Sequence, residues 1–125
     1  MSDLAIITTV CNHLDAQMSQ NFEGISNSTT FPFFHIFMDG KTIIFKDVSE
    51  MAIFGNRPYT TKIIEAEIVD VGGSSAVMKL IFQRCDLKGE KTVKAKAIWG
   101  ITRVEGFWKV HWRQFLGEIK AAEIE

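Results

Sequence analysis

The spacing of apolar positions along this chain changes from helical to alternating, and those changes mark its elements. From residue 3 to residue 22, Leu4, Ile7, Cys11, Leu14, Met18 and Phe22 recur at three- and four-residue intervals. That spacing predicts one apolar face on a long helix, capped by Ser2 or Asp3. At about 100° per residue His13 points away from the stripe, a surface position, and Asp15 falls on its edge. Gly24 and the polar run 26–30 end the helix in a loop. A hairpin follows, residues 33–38 and 41–46 about an Asp39-Gly40 turn. A two-residue turn sets Phe34 across from Phe45 and Ile36 across from Ile43, with His35 on the opposite face beside Ile44. Pro32 cannot donate to a ladder, so the hairpin is expected to begin at a sheet edge. Asp47 and Glu50 form a variant of the capping box for a short helix over 47–54, stopped by Gly55 and Pro58.

Four strands complete the pattern: 59–71, 76–86, 91–104 and 107–115. A bulged loop at Gly72-Gly73 sets Ile68 against Met78, Ala66 against Leu80 and Ile64 against Phe82, with Glu67 opposite Lys79. The stretch IWGITRVEGFWKVHWRQF, residues 98–115, holds all three tryptophans. A Glu105-Gly106 turn pairs Val104 with Phe107, Arg103 with Trp108, Ile101 with Val110 and Trp99 with Trp112. The other face then collects Thr102 with Lys109, Gly100 with His111, Ile98 with Arg113, and Lys96 with Phe115. The helix needs an apolar surface and the curved antiparallel meander offers one. An α+β roll, with the long helix lying in the concave sheet, satisfies both as a single domain over 1–125.

Composition sharpens this picture only at its edges. The chain has 125 residues, 46% hydrophobic and 23% charged, the proportions of a soluble globular domain. Its net charge of -1 conceals an uneven distribution, with no Lys or Arg before Lys41 and a basic excess over residues 79–113. No Arg cluster or aromatic–basic signature accompanies that excess, so a solvated sheet face is expected rather than a nucleic-acid surface. The opening segment lacks a basic region and a small-residue cleavage pattern, and no apolar run is long enough to span a bilayer. Cys11 and Cys85 lie in unrelated segments and read as free thiols in a reducing cytoplasm. The three histidines are scattered without ligand spacing, and neither a phosphate-cradling glycine loop nor a nucleophile elbow is present; no metal and no cofactor is expected.

The candidate chemistry is sparse. His35 sits among aromatics in FPFFHIF and is open to two readings, a satisfied structural histidine or a general base titrating near neutral pH. Asp15 is either a solvated flank residue or a partner to His35, acting alone if desolvated. Arg103 could orient an anion at the mouth of the sheet, or merely stack on Trp108. Arg84 continues the Met78, Leu80, Phe82 face and either points toward the rim of a cavity or snorkels its head to solvent. Trp99, Val110 and Trp112 form the floor of that cavity, and Tyr59 could either offer a hydrogen bond to a ligand carbonyl or anchor a loop through its phenol.

Three segments resemble the nuclear transport factor 2-like superfamily, in particular its SnoaL-like branch. They are the helix with HLDAQMSQNFEGI, the Phe-Pro-led TFPFFHIFMDGKTIIFKDVSEM, and the closing EGFWKVHWRQF, in that order over almost the whole chain. The resemblance implies a cone-shaped α+β barrel with a pocket between sheet and helices, and dimers through the outer sheet face. It also implies either small-molecule chemistry by proton transfer (isomerase, dehydratase or cyclase) or a protein without catalysis. No acid falls on the apolar face of the last two strands, so the family's proton-transfer residue maps to no position there. The expected function is binding of a small apolar or weakly acidic molecule in a mostly apolar pocket. The alternative is a dimeric scaffold module built on Lys96, Ile98, Phe107 and Phe115.

Overall fold

The computed structural model describes residues 2–54 and 59–119, with side chains placed over 4–51 and 60–119. Helix α1 (Ser2–Met18) and a short helix α2 (Phe22–Ser28) precede strands β1 (Thr29–Ile36) and β2 (Thr42–Phe45). Helix α3 (Val48–Phe54) leads into β3 (Tyr59–Val71), β4 (Ser75–Asp86), β5 (Lys91–Val104) and β6 (Phe107–Glu118). The strands form one curved, unclosed sheet in the order β2-β1-β6-β5-β4-β3. All neighbours are antiparallel except β1 and β6, which run parallel. The α+β roll read from the sequence is therefore present, with one parallel pair that a simple meander does not have.

The first helix is shorter than its apolar stripe. Gln20 adopts a left-handed backbone (φ 55°) and Asn21 N–H reaches back to the Ala16 carbonyl at 2.8 Å, a closure that ends the helix. Asn21 then caps α2, its side-chain oxygen accepting from Gly24 N–H at 3.1 Å, so the polar run read as a loop is helical up to Ser28.

The buried face of α1 is also rotated from the expected one. Ile6, Val10, His13 and Gln17 face the core, whereas Leu4 is 72% exposed and Phe22, beyond the helix, 51%. His13, read as a surface residue, is fully buried. Hydropathy misplaces the stripe because two polar residues lie inside it, both with hydrogen-bonding partners in the core.

Helix α3 begins as expected. Asp47 accepts from Glu50 N–H at 3.1 Å, and Glu50 reaches back to Lys46 N–H at 2.7 Å. The stop assigned to Gly55 and Pro58 lies outside the described residues.

The β1–β2 hairpin closes through three residues, Met38-Asp39-Gly40, with Gly40 at φ +92° and Phe37 N–H bonded to the Lys41 carbonyl. The extra residue shifts the register by one: Phe33 pairs with Phe45, and His35 with Ile43. Phe33 thus takes the buried position, fully covered, and His35 joins its face instead of the opposite one. Pro32 does not mark an edge, because β1 lies between β2 and β6; the proline falls where the β1–β6 register shifts, and needs no ladder bond.

Strands β3 and β4 pair as expected at Ile68–Met78, Glu67–Lys79 and Ala66–Leu80. A further bulge then brings Ile63 opposite Phe82 and leaves Ile64 half exposed.

Candidate functional site

The site is created by a slip in the last hairpin. Glu105 (φ 52°) and Gly106 (φ 88°) form the expected turn, and the pairing holds from Val104–Phe107 to Ile101–Val110. There β6 gains one residue. Gly100 pairs with Trp112, Trp99 with Arg113 and Ala97 with Phe115. From that bulge onward inner and outer positions exchange. Trp112 leaves the pocket floor and lies over Gly100 on the outer face, where any side chain at residue 100 would collide with the indole. Arg113 and Phe115, expected outside, turn inward.

The inner face of β3–β6, the C-terminal half of α1 and the end of β1 enclose a cavity of about 450 Å³. Leu80, Phe82, Ala97, Trp99 and Phe115 form its apolar wall, and Leu14 and Met18 its helical side. At the rim, Met18 sulfur accepts from Thr61 N–H at 3.1 Å, linking α1 to β3. His35, Gln17, Arg84 and Arg113 bring the polar groups.

Arg113 is only 9% exposed. Its Nε–H donates to His35 Nδ1 at 2.7 Å and its Nη1–H to Gln17 Oε1 at 2.8 Å. The guanidinium carbon lies 5.3 Å from the ring centroids of both Phe33 and Trp99. These contacts set the neighbours' chemistry. An Nδ1 that accepts places the proton of neutral His35 on Nε2, and a Gln17 oxygen that accepts leaves its amide nitrogen as a donor.

Behind this cluster lies His13. Its Nδ1 is 2.9 Å from Thr29 Oγ1 and 3.4 Å from Ser28 Oγ, which itself donates to the Gly24 carbonyl. The ring stacks on Phe33 and meets Trp99 edge-on. Burial first, and the Arg113 charge second, lower its pKa to about 3, so it is neutral at physiological pH.

Of the residues singled out in the sequence, the structure brings His35, Arg84 and Trp99 together around the cavity. Arg84 lies over Phe82 and Phe115, its guanidinium carbon 5.4 and 5.7 Å from their centroids. Asp15 does not join them: it is exposed and lines a separate polar groove beside Trp108. Arg103 is exposed and stacks on Trp108 at 4.9 Å, the simple cation–π contact. Val110 is core without lining the cavity, and Trp112 is on the outer face. The side chain of Tyr59 lies outside the described residues.

Sequence reasoning missed Arg113, Gln17 and Phe115. One signal was available, since a glycine inside a strand often marks a bulge or a close approach, and Gly100 marks both here. Among the described residues, no cavity-lining side chain is Asp, Glu, Tyr or Cys, and no three His, Cys, Asp or Glu side chains cluster as a metal site would require. No described helix is long and apolar enough to cross a membrane.

No protein-family model matches the chain, and no curated protein matches it in sequence. Solved structures do. A protein of unknown function with a cystatin-like fold from Nostoc punctiforme superposes with a TM-score of 0.74 at 13% identity, over 95% of this chain and 92% of that one. The association domain of C. elegans CaMKII gives 0.72 at 13% identity, over 91% and 94%. A putative ketosteroid isomerase from Shewanella frigidimarina gives 0.68 at 16% identity, over 89% and 94%. At these identities the likeness is one of fold, and the chain carries the cystatin-like α+β fold of these proteins, consistent with its resemblance to the nuclear transport factor 2-like superfamily.

Proposed function

We propose that this protein binds a small, largely apolar organic molecule in the cavity between α1 and the sheet. The observation that carries this reading is the cavity itself: about 450 Å³, apolar on most sides, with a few convergent polar groups at one wall. Small-molecule sites commonly have that volume and character. Binding accounts for the residues better than proton transfer does. A proton-abstracting enzyme needs a base, and the ionisable side chains among the described lining residues are His35, Arg84 and Arg113. With Nδ1 engaged by Arg113, His35 presents an N–H, suited to polarise a carbonyl rather than to take a proton. Cys11 and Cys85, both free thiols, fit a reducing cytoplasm.

A thermal-shift screen of small aromatic acids and carbonyl compounds tests this reading. A ligand at 100 times its dissociation constant adds about 2.7 kcal/mol, a rise of about 10 °C for a domain of this size. Filling the cavity with Ala97→Phe in a folded variant should abolish the shift. A hit that survives Ala97→Phe would place binding elsewhere.

A second reading, a dimeric scaffold, draws on the outer sheet face, where Phe34, Ile36, Ile98 and Trp112 are only partly covered in one chain. Phe107, 70% exposed, stays on that face, whereas Phe115 has left it for the cavity. Light scattering at tens of micromolar decides this: dimers that Ile98→Asp dissociates support it, and a monomeric wild type removes it.

A further inference from the structure

We infer that the cavity takes an uncharged ligand whose one carbonyl oxygen accepts from the Gln17 amide Nε2–H. The apolar body of that ligand lies beside Leu14, Leu80, Ala97 and Trp99. This rests on the binding reading above and specifies its chemistry: Gln17, at the end of α1, sets which polar group the ligand carries.

The Gln17 amide is oriented by its neighbour. Arg113 Nη1–H donates to Oε1 at 2.8 Å, so the other corner of the amide, Nε2, carries the hydrogens. Gln17 also favours the protonated form of His13, which is again the effect of an accepting oxygen. The residue is only 6% exposed and lines the cavity. Among the described residues, its Nε2 has no hydrogen-bond partner. Side-chain donors covered to that degree are uncommon in proteins unless an acceptor reaches them. In the cavity that acceptor comes from the ligand.

The lining favours a neutral acceptor over an anion or an alcohol. Its charged groups are already engaged. Arg113 holds His35 and Gln17 and lies over Phe33 and Trp99, and Arg84 lies over Phe82 and Phe115. An anion would have to draw them out of these contacts, in a cavity whose remaining walls are mostly apolar. A hydroxyl would satisfy Nε2 but bring an O–H of its own, and the Gln17 oxygen beside it is taken. A carbonyl accepts and brings no donor to be satisfied.

Equilibrium dialysis of the full chain against 2-acetonaphthone, naphthalene and 2-naphthoate tests the assignment. Wild type should bind the ketone about three- to tenfold more tightly than naphthalene, the effect of one neutral hydrogen bond. Naphthoate should bind more weakly than the ketone. Gln17→Glu keeps an accepting oxygen for Arg113 and removes the donor, so it should bring the ketone level with naphthalene. That ratio is read within one protein, so a general loosening of the cavity does not move it. The wild-type ranking stands even if Gln17→Glu fails to fold. A ketone no tighter than naphthalene, a naphthoate as tight as the ketone, or a ketone preference that survives in folded Gln17→Glu overturns the inference. Where Ala97→Phe blocks that binding, the cavity reading is left intact. Binding that survives Ala97→Phe, or none by any probe at about 0.2 mM, overturns both.

Discussion

Arg113 stands directly opposite Trp99 on the inner face of the sheet, its guanidinium carbon 5.3 Å from the indole centroid. It arrives there only because β6 gains one residue over β5 between Val110 and Trp112. Without that bulge, the alternation of a regular strand would place Arg113 outside and Trp112 in the cavity. The bulge thus replaces an aromatic floor with a cation held by His35 and Gln17.

The bulge depends on Gly100. A methyl group there would collide with the Trp112 indole. Gly100→Ala is expected to cost about 1–3 kcal/mol of stability by urea unfolding, the cost of overpacking a tight contact. Trp112→Ala should make the same glycine substitution nearly neutral. Additive losses in the double variant would show that the contact does not set the cost.

Arg113 also supports the fold around it. Arg113→Met removes the donors to Gln17 and His35, and unsatisfied buried groups cost about 1–3 kcal/mol. Gln17→Leu in the same background should recover part of that loss, because it removes one orphaned acceptor. Denaturant titration of the three proteins checks this.

His13 gives the fold a pH dependence of defined sign. Its folded-state pKa is lowered to about 3 by burial and then by Arg113, while an unfolded histidine titrates near 6.5. Between those values the unfolded chain binds the extra proton, so stability is fully present above pH 6.5 and falls as pH drops toward 3. From pH 7 to pH 5 the loss from this one group is about 2 kcal/mol. His13→Gln should flatten that part of the profile in urea unfolding; an unchanged slope would contradict a buried neutral His13.

Asp15 acts on its own helix, outside the cavity. The Cys11 thiol is pushed up by partial burial and, second, by the Asp15 charge. Asp15→Asn should therefore speed alkylation of Cys11 in a Cys85→Ala background, by about two- to threefold near pH 8. The same variant should leave ligand binding unchanged, in contrast to Ala97→Phe.

Much of the fold was legible because local rules agreed with it. Asp47 and Glu50 cap α3, Glu105-Gly106 turns β5 into β6, and the Ile68–Met78 register follows from keeping one face apolar. The site was less legible, for two physical reasons. One-residue insertions, at Met38 in the first hairpin and after Val110 in the last, reverse which side chains face inward. Polar residues can also be core: His13 and Gln17 are buried because Thr29 and Arg113 meet them there, a pairing no periodicity within α1 contains. His35, Arg84 and Trp99 reached the cavity; their key partner Arg113 was hidden by the bulge.

The most direct test of the account is a crystal structure of the wild-type protein grown with a small aromatic acid or carbonyl compound that the thermal-shift screen selects. The account predicts the compound inside the cavity between α1 and the sheet, its ring against the apolar wall formed by Leu80, Phe82, Trp99 and Phe115. An empty cavity at saturating ligand, or a compound bound outside it, would contradict it.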